Sequence, residues 1–486
     1  MAVLRNSPPS PIVRPVRRHI RSDTATTAVA LLVAERARAG GDAVALLDEL
    51  GEAVTWRDVA MAAEQWRSRF DEELSSGTPF EVCVGLVLSS PLEFGRQYLA
   101  ALAAGVPVAP LNAGLSQAEL LWATASIGLS HVMSEGGELT QMRQRRRRAG
   151  VAPRLAGDFP LSGFEQGLAG GWHPSMTPIA GSPAGLPARR APAVVITTAG
   201  STGAPKLVPF TQRQLLVAAS RAVRHLGLQR GDRAYVSTPL HGVDGQVVGI
   251  LAPLVSGGSA VLARFHELRY WDTVERSGAT WLNLDPAMAA ALVDAPPPAP
   301  DLRDRVRFAR VGGGGLPLQT HARLWLAAGI SLLETYTVSE AAGTVAANPV
   351  VVADRRPGSV GRPVGVELRI VDSNSQLAPV ATPGRIQIRG DCVAYHYLPY
   401  GRRGAADSMP ARGPNGWFDT GDVGFGTAEG YLYVTGPAGT DEPAGDGYAG
   451  CGLASGIRRD LGATERSSQV ACGTPASPLR AAAFRP

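Results

Sequence analysis

The sequence contains a single lysine, and that scarcity is its most informative compositional feature. Lys206 stands alone among 47 lysine and arginine residues, all the others being arginine. Throughout this chain, arginine serves wherever only a surface charge is needed. We therefore interpret the one retained lysine as a compact point charge that contacts a specific partner, such as a phosphate group.

Long apolar runs and clustered cysteines are also missing from the sequence. Every apolar run is interrupted well before the roughly eighteen residues that a membrane-spanning helix needs. The cysteines at positions 83, 392, 451 and 472 have neither metal-ligand nor disulfide-framework spacing. We expect a protein of the reducing cytoplasm with no membrane span, and we assign these cysteines no role.

The chain after residue 22 carries no net charge. The net charge of +5 equals the charge of residues 1–22, which carry five arginines and no acidic residue. A nucleic-acid-binding surface needs clustered positive charge on a folded face, so we expect no nucleic-acid partner. Residues 1–23 are predicted to be a disordered basic tail, because their prolines oppose an amphipathic helix.

Helical patterns, such as that of residues 56–70, and short apolar strand patterns alternate over most of the chain, which is typical of an α/β fold. From Gly361 the pattern changes to short strands separated by turns, with one strand expected at 385–389, which predicts a small β subdomain. After Gly436 apolar periodicity fades into glycine, alanine, proline and arginine. The predicted units are a first α/β subdomain at 24–170, a second at 193–360, the β subdomain at 361–436, and an aberrant tail at 437–486 that is expected to be disordered.

One glycine-rich segment carries the clearest chemistry. It lies between an apolar strand and a predicted helix, and it combines hydroxyls, glycines and the single lysine, a set suited to binding nucleotide phosphate. Its order does not match the Walker A pattern, and a bare Gly-Ser-Thr-Gly would be better explained as a flexible surface loop. The candidate phosphate-binding residues are Thr198, Gly200, Ser201, Thr202, Gly203 and Lys206.

This segment resembles the phosphate loop of the adenylate-forming superfamily of acyl-CoA synthetases, peptide-synthetase adenylation domains and luciferases. Further motifs follow in that family's order, and their look is nearest to the oxalate and fatty-acid CoA ligase branch. The resemblance implies the large α/β N-terminal domain of these enzymes, with two α/β subdomains of packed β-sheets and a small β-barrel-like subdomain. The further motifs are Pro239–Gly242, Gly312–Pro317, Tyr336–Glu340, Gly358–Pro363, Gly416–Asp422 and Gly430–Gly436.

The resemblance also implies roles for individual residues at the nucleotide. Asp422 would hold the ribose hydroxyls, and Tyr336 would stack near adenine. Ser339 occupies the place of a phosphate-contacting threonine, while Glu340 would coordinate the Mg²⁺ bound to ATP, as suits an oxygen ligand and a hard cation. Without the resemblance, we would interpret Asp422 as a carboxylate in a turn, Glu340 as a solvent-exposed side chain and Tyr336 as an aromatic residue of the core.

An acyl pocket is implied beside the nucleotide. Gly313 and Gly314 would place backbone against adenine and the acyl group, where side chains would collide. Thr337 replaces a usual glycine and would narrow the pocket or crowd adenine. For His241, a structural histidine and a pocket wall remain equal alternatives. The predicted pocket residues are His241, Gly242, Val243, Gly314 and Thr337.

The implied reaction joins a small carboxylic acid to ATP as acyl-AMP, which then passes to coenzyme A or a carrier-protein pantetheine. Catalysis would rest on Lys206, Ser339 and Glu340, through positioning and charge neutralisation. Relatives add a C-terminal domain that donates a second lysine, whereas here Pro437 follows Gly436 and no other lysine exists. We therefore expect impaired turnover, restored by a C-terminal domain in trans, and a tail that arose by frameshift.

Two alternatives stay open from the sequence. In the first alternative, the chain is a catalytically dead pseudoenzyme that retains nucleotide binding. In the second, it is an assembly partner of a full-length ligase. The sequence leaves the identity of the acid open, and a medium-sized or aromatic acid is one hypothesis. A second departure, Arg385 in place of a common glutamate, falls in the β subdomain.

Overall fold

The computed structural model describes residues 28–71, 82–135, 175–178, 192–198, 206–399 and 409–438. The predicted basic tail, residues 200–203 of the predicted phosphate loop and all residues from 439 onward lie outside this described part. Among the helices that are described, none combines the length and apolar character required to cross a membrane.

Several α-helices begin after a residue whose side chain caps the first turn. Before α2, the Thr55 hydroxyl accepts the Asp58 N–H while the Asp58 carboxylate accepts the Thr55 N–H. Such capping boxes satisfy backbone donors and contribute about 1 kcal/mol each. The described α-helices are α1 (Ala28–Gly40), α2 (Trp56–Arg69), α3 (Pro91–Ala104), α4 (Gln117–Ile127), α5 (Gln212–Leu226), α6 (Ala252–Ser256), α7 (Tyr270–Ser277), α8 (Pro286–Ala291), α9 (Pro300–Arg305) and α10 (Leu318–Ala328). A π-helix, Gly245–Leu251, precedes α6.

A nine-stranded sheet forms the largest layer. Its six central strands run parallel, and its outer strands β14, β15 and β2 pair antiparallel. Across the sheet, the order is β15 (Arg362–Pro363), β14 (Gly343–Ala347), β13 (Leu332–Val338), β12 (Ala309–Val311), β11 (Trp281–Leu284), β9 (Arg233–Val236), β10 (Ser259–Leu262), β1 (Val44–Leu47) and β2 (Ala53–Thr55). Ligands in open α/β sheets bind where the carboxyl ends of parallel strands meet, so this edge is the expected site.

A six-stranded sheet forms a second layer and ends in the hairpin of the predicted phosphate loop. Its order is β6 (Ser175–Pro178), β5 (His131–Ser134), β3 (Val84–Val87), β4 (Val108–Pro110), β7 (Val194–Thr198) and β8 (Lys206–Phe210). Strands β1 and β2 join the nine-stranded sheet, whereas β7 and β8 join this one, so strand pairing links the two predicted α/β subdomains. Their boundaries stay predictions.

The helix α3 packs between the two large sheets. It contacts β1 and β10 of the nine-stranded sheet and β4 of the six-stranded sheet. The close approach of α3 to β10 requires glycine at position 95, because a Cβ atom there would lie 2.4 Å from the Leu262 Cδ1 atom. The buried faces of α3 and its neighbours thus form one continuous core, as expected for layered α/β domains.

Short antiparallel strands form the third unit. Four of them make an open sheet in the order β16 (Glu367–Val371), β17 (Gly384–Arg389), β20 (Phe418–Gly426) and β21 (Leu432–Pro437). Two more, β18 (His396–Tyr397) and β19 (Met409–Pro410), pair with each other. The expected barrel-like subdomain is therefore, within the described residues, an open sheet, because β16 and β21 are its two edges.

Candidate functional site

The predicted phosphate loop joins two antiparallel strands. Thr198 at the end of β7 pairs with Lys206 at the start of β8, so the two ends of the loop are held together at one sheet edge. The sequence suggested that a helix follows the loop, whereas β8 lies between the loop and α5. Leu207, Val208 and Phe210 explain this strand, because all three side chains are buried in the core. Gly200, Ser201, Thr202 and Gly203 lie outside the described residues.

Lys206 is positioned by an aromatic ring. Its Nζ atom lies 4.9 Å from the centroid of the Tyr397 ring. Tyr397 is held beside β8, because the N–H of Leu398 donates to the Leu207 carbonyl at 2.9 Å. A ring face attracts an ammonium group without using its N–H donors, so this contact is compatible with binding an anion.

Glu340 lies next to the same tyrosine. It follows β13 in the 3-10 turn Ser339–Ala341, and its Oε1 atom accepts the Tyr397 hydroxyl at 3.1 Å. Burial raises the pKa of Glu340, while hydrogen bonds from its own backbone and Tyr397, together with the charge of Lys206, oppose that rise. Tyr397 therefore brings the predicted metal ligand and the predicted phosphate-binding lysine into one cluster.

Tyr336 and Asp422 meet although they belong to different sheets. The Tyr336 hydroxyl, on β13, donates to the carboxylate of Asp422, on β20. The charge of Asp422 also contributes to the raised pKa of Glu340. The structure thus places the predicted adenine, ribose and metal contacts on neighbouring surfaces, since Tyr336 and Glu340 are only a few residues apart on the chain.

A bulge in β20 positions Asp422, because the pairing of β20 with β17 shifts register between Asp419 and Val423. Gly421, within the bulge, adopts a φ of 78°, a conformation that favours glycine, and its N–H donates to Asp419 Oδ1 at 3.1 Å. Arg385, which departs from the usual family pattern, pairs with Asp419 Oδ2 at 2.6 Å. This arginine therefore supports the bulge that presents the predicted ribose ligand.

The predicted acyl-pocket residues lie at the carboxyl edge of the central parallel strands. Val243 is buried, and His241 and Gly242 are partly exposed in the loop after β9. Gly313 and Gly314 follow β12, where Gly313 has a φ of 90°. Because β9, β11, β12 and β13 are neighbours, these segments converge on one region, as the resemblance implies.

His241 is a neutral imidazole at physiological pH. Burial lowers its pKa to about 4, well below the usual value of a histidine. Its backbone carbonyl accepts the Gln246 side-chain amide at 3.1 Å, which ties the loop to the π-helix. A neutral, half-buried ring fits both a structural role and a pocket wall, so both interpretations stand.

A buried polar network connects the segments of this pocket region. The Arg310 guanidinium, only 1% exposed, forms two hydrogen bonds with Asp244, from Nη1 to Oδ2 at 2.6 Å and from Nη2 to Oδ1 at 2.7 Å. Nη1 also donates to Asn283 Oδ1 at 2.7 Å, and Nη2 to Thr344 Oγ1 at 3.1 Å. Thr344 lies opposite Thr337 in the β13–β14 pairing. We define this group, with Thr238, which accepts the Asn283 amide, as the Arg310 network.

Sequence reasoning missed Arg310 and Tyr397. The sequence could have indicated Arg310, since a charged residue inside a short buried strand needs a partner. No sequence pattern indicates Tyr397, because it belongs to no recognised motif and contacts Glu340 only in the tertiary structure.

Magnesium binding can be tested against the described side chains. They contain no group of three or more His, Cys, Asp or Glu residues able to hold a metal by themselves. Mg²⁺ bound to nucleotide phosphates needs only one or two protein carboxylates. Glu340 alone is therefore compatible with a nucleotide-bound magnesium ion, but not with an all-protein metal site.

The chain is similar in sequence to known proteins of one family. The sequence profile of the AMP-binding enzyme family matches residues 33–398. The sulfoacetate–CoA ligase of Cupriavidus necator is 32% identical over 416 residues, which cover 84% of this chain and 78% of that protein. The oxalate–CoA ligase of Arabidopsis thaliana is 30% identical over 249 residues, which cover 50% of this chain and 48% of that protein.

Solved structures share the fold. The o-succinylbenzoate coenzyme A synthetase of Bacillus subtilis with AMP gives a TM-score of 0.64 at 20% identity, covering 83% of this chain and 78% of that one. The anthranilate CoA ligase AuaEII with anthranoyl-AMP gives a TM-score of 0.67 at 20% identity, and the match covers 84% of this chain and 77% of that one. The expected α/β fold of adenylate-forming enzymes is confirmed, and this chain belongs to the AMP-binding enzyme family.

Proposed function

We propose that this protein activates a small carboxylic acid with ATP and transfers the acyl group to the thiol of coenzyme A or of a carrier protein. The observation that carries this proposal is the cluster of Lys206, Glu340, Tyr336 and Asp422, which three separated motifs contribute. The similarity to proteins named CoA ligases supports the same reaction class.

The first step forms acyl-AMP. A carboxylate oxygen of the acid attacks the α-phosphorus of ATP, the bond from that phosphorus to the bridging oxygen breaks, and pyrophosphate leaves. Lys206 would supply positive charge to the phosphates, while Ser339 would donate a hydrogen bond from its hydroxyl. When Mg²⁺ is bound to ATP it neutralises phosphate charge, and Glu340 would hold it there.

The nucleotide is oriented by the pair of Tyr336 and Asp422. The hydrogen bond from Tyr336 fixes the carboxylate that would accept the ribose hydroxyls. The ring of Tyr336 would lie near adenine, with Gly313 and Gly314 supplying backbone beside it. In the second step the thiol sulfur attacks the acyl carbon, AMP leaves, and the thiol proton passes to solvent.

An ATP–pyrophosphate exchange assay with a panel of carboxylic acids tests the proposal. We expect acid-dependent exchange that Lys206→Ala and Asp422→Ala abolish. Arg323→Ala serves as the control, because this exposed arginine lies on α10 in a surface ion pair with Asp294. Adding a C-terminal domain in trans to the same assay tests the prediction of impaired turnover. ATP binding without exchange for any acid would contradict the proposal and favour a nucleotide-binding pseudoenzyme.

A further inference from the structure

The Arg310 network bears on which acids the pocket accepts. Its members adjoin the segments predicted to surround the acyl group: Asp244 follows His241–Val243, Arg310 lies in β12 just before Gly313 and Gly314, and Thr344 lies opposite Thr337. Gly312 lies directly over the guanidinium, because a Cβ there would be 2.6 Å from Arg310 Nη2. The network therefore forms the wall behind the glycines of the pocket.

The positive charge of Arg310 is balanced within this wall by the carboxylate of Asp244. Both terminal nitrogens face the Asp244 carboxylate in a bidentate pair, the strongest geometry for such a contact. The guanidinium is also sealed from solvent, since the side chain of Arg310 is 1% exposed while that of Asp244 is 14% exposed. A ligand approaching the pair meets the carboxylate before it meets the cation.

Neighbouring groups do not reverse this balance. Asp285 caps α8 through the Met288 N–H at 2.8 Å and adds a second carboxyl group to the same wall. Burial raises the pKa of Asp285, and hydrogen bonds from the Met288 and Ala287 N–H groups oppose this rise. The charge of Asp244 contributes a smaller increase, which places the two acids within electrostatic reach. His241 is neutral at physiological pH. The facing groups thus sum to a neutral or negative surface.

We infer that the acyl pocket selects acids whose only negative charge is the reacting carboxylate, and that the Asp244–Arg310 pair enforces this selection against acids with a second anionic group. The physical reason is that a second carboxylate would have to be desolvated against a wall that offers it no net positive charge. The inference rests on the proposed acid activation and narrows its substrate class.

Matched acids test the inference in the unaltered protein. Pentanoate and glutarate have the same chain length and differ in the terminal group, which is a methyl in one and a carboxylate in the other. We expect kcat/KM in the exchange assay to favour pentanoate by at least about tenfold, since specificity against a wrong group arises from leaving charges unpaired. Preference for glutarate would overturn the inference, whereas exchange with neither acid nor any other would overturn the proposed function.

Substitution of the pair identifies its role. Asp244→Asn keeps the shape of the side chain and leaves Arg310 with an uncompensated charge, so we expect the pentanoate-to-glutarate ratio to fall by about tenfold or more. The double variant Asp244→Asn with Arg310→Gln removes both charges, and we expect the ratio to return towards the original value. A merely structural role would lower activity with both acids equally and leave the ratio unchanged in both variants, which would overturn the inference.

Discussion

The Tyr397 hydroxyl donates to the Glu340 carboxylate at 3.1 Å, across 57 residues of sequence. The same ring lies under the Lys206 ammonium group. Burial, and to a lesser extent the charge of Glu340, raise the pKa of Tyr397, so the phenol stays protonated and remains a donor. One side chain therefore orients both the predicted metal ligand and the predicted phosphate-binding cation.

Replacing Tyr397 by phenylalanine separates these two roles. The ring under Lys206 is retained, whereas the hydrogen bond that orients Glu340 is lost. Loss of a partner that orients a metal ligand typically costs about tenfold to a hundredfold in metal affinity or activity. We expect Tyr397→Phe to raise the Mg²⁺ concentration needed for half-maximal exchange by such a factor.

Tyr395→Phe is the matched control for this substitution, because Tyr395 lies two residues from Tyr397, is exposed and packs its ring against the Arg412 guanidinium. An unchanged Mg²⁺ requirement in Tyr397→Phe would contradict the positioning role.

The Tyr336 hydroxyl should contribute to nucleotide affinity. Tyr336→Phe leaves the aromatic ring and removes the hydrogen bond to Asp422, so the carboxylate loses a fixed orientation. A hydrogen bond to a charged group contributes roughly 1.5–3 kcal/mol, so we expect ATP affinity to fall by about tenfold or more. Isothermal titration calorimetry with ATP measures this effect.

Tyr433→Phe provides the comparison for Tyr336→Phe, since Tyr433 stacks on Phe425 within the small sheet. Equal ATP affinity in the two variants would show that Tyr336 acts only as a core aromatic.

His241 should make stability depend on pH. Its pKa of about 4 in the folded state is below the usual value near 6.5, so the unfolded chain binds more protons between these values. The stabilisation is therefore complete above about pH 6.5 and is lost as pH falls towards 4. Between pH 7 and pH 5, we expect the original protein to lose up to about 2 kcal/mol more unfolding free energy than His241→Gln.

Urea denaturation of both proteins at the two pH values measures this difference, because the other histidines are common to both. Parallel losses in the two proteins would show that His241 keeps an ordinary pKa.

Gly245 should be required for the loop that carries His241. A Cβ at this position would lie 2.4 Å from the Pro239 carbonyl oxygen, a backbone atom that cannot turn away. We expect Gly245→Ala to destabilise the protein by roughly 1–3 kcal/mol, since the loop or the π-helix must shift. Thermal unfolding measures the loss.

Gly231→Ala is the control for this change, because a Cβ at Gly231 meets no atom within 4 Å. Equal melting temperatures for the two variants would contradict the close contact.

Elements with strong local signals were predicted well. The helix pattern expected at 56–70 is α2 (Trp56–Arg69), and the strand expected at 385–389 is β17 (Gly384–Arg389). Both follow from the periodicity of apolar residues, which neighbouring positions in the sequence specify. The family resemblance and the fold class are confirmed, and the expected enzyme class agrees with relatives named CoA ligases. The site roles remain predictions.

Other features could not be read from local patterns. The strand β8 was missed because the sequence suggested a helix directly after the loop. The pairing of β1 with β10 joins residues from opposite sides of a predicted boundary. Such long-range pairing depends on which buried faces fit together, and no local periodicity encodes that choice.

The sequence by itself determined the family through its order of motifs. It also predicted the chemistry of the candidate site, since the retention of Lys206 as the sole lysine marked the predicted phosphate loop. Only the tertiary structure decided which side chains support that chemistry. Tyr397 lies beneath Lys206 and donates a hydrogen bond to Glu340. Arg310 forms an ion pair with Asp244 behind the glycines of the predicted pocket. Motif residues are set by the atoms of a ligand and can be recognised one by one, whereas their supporting partners are set by packing and charge balance between distant segments.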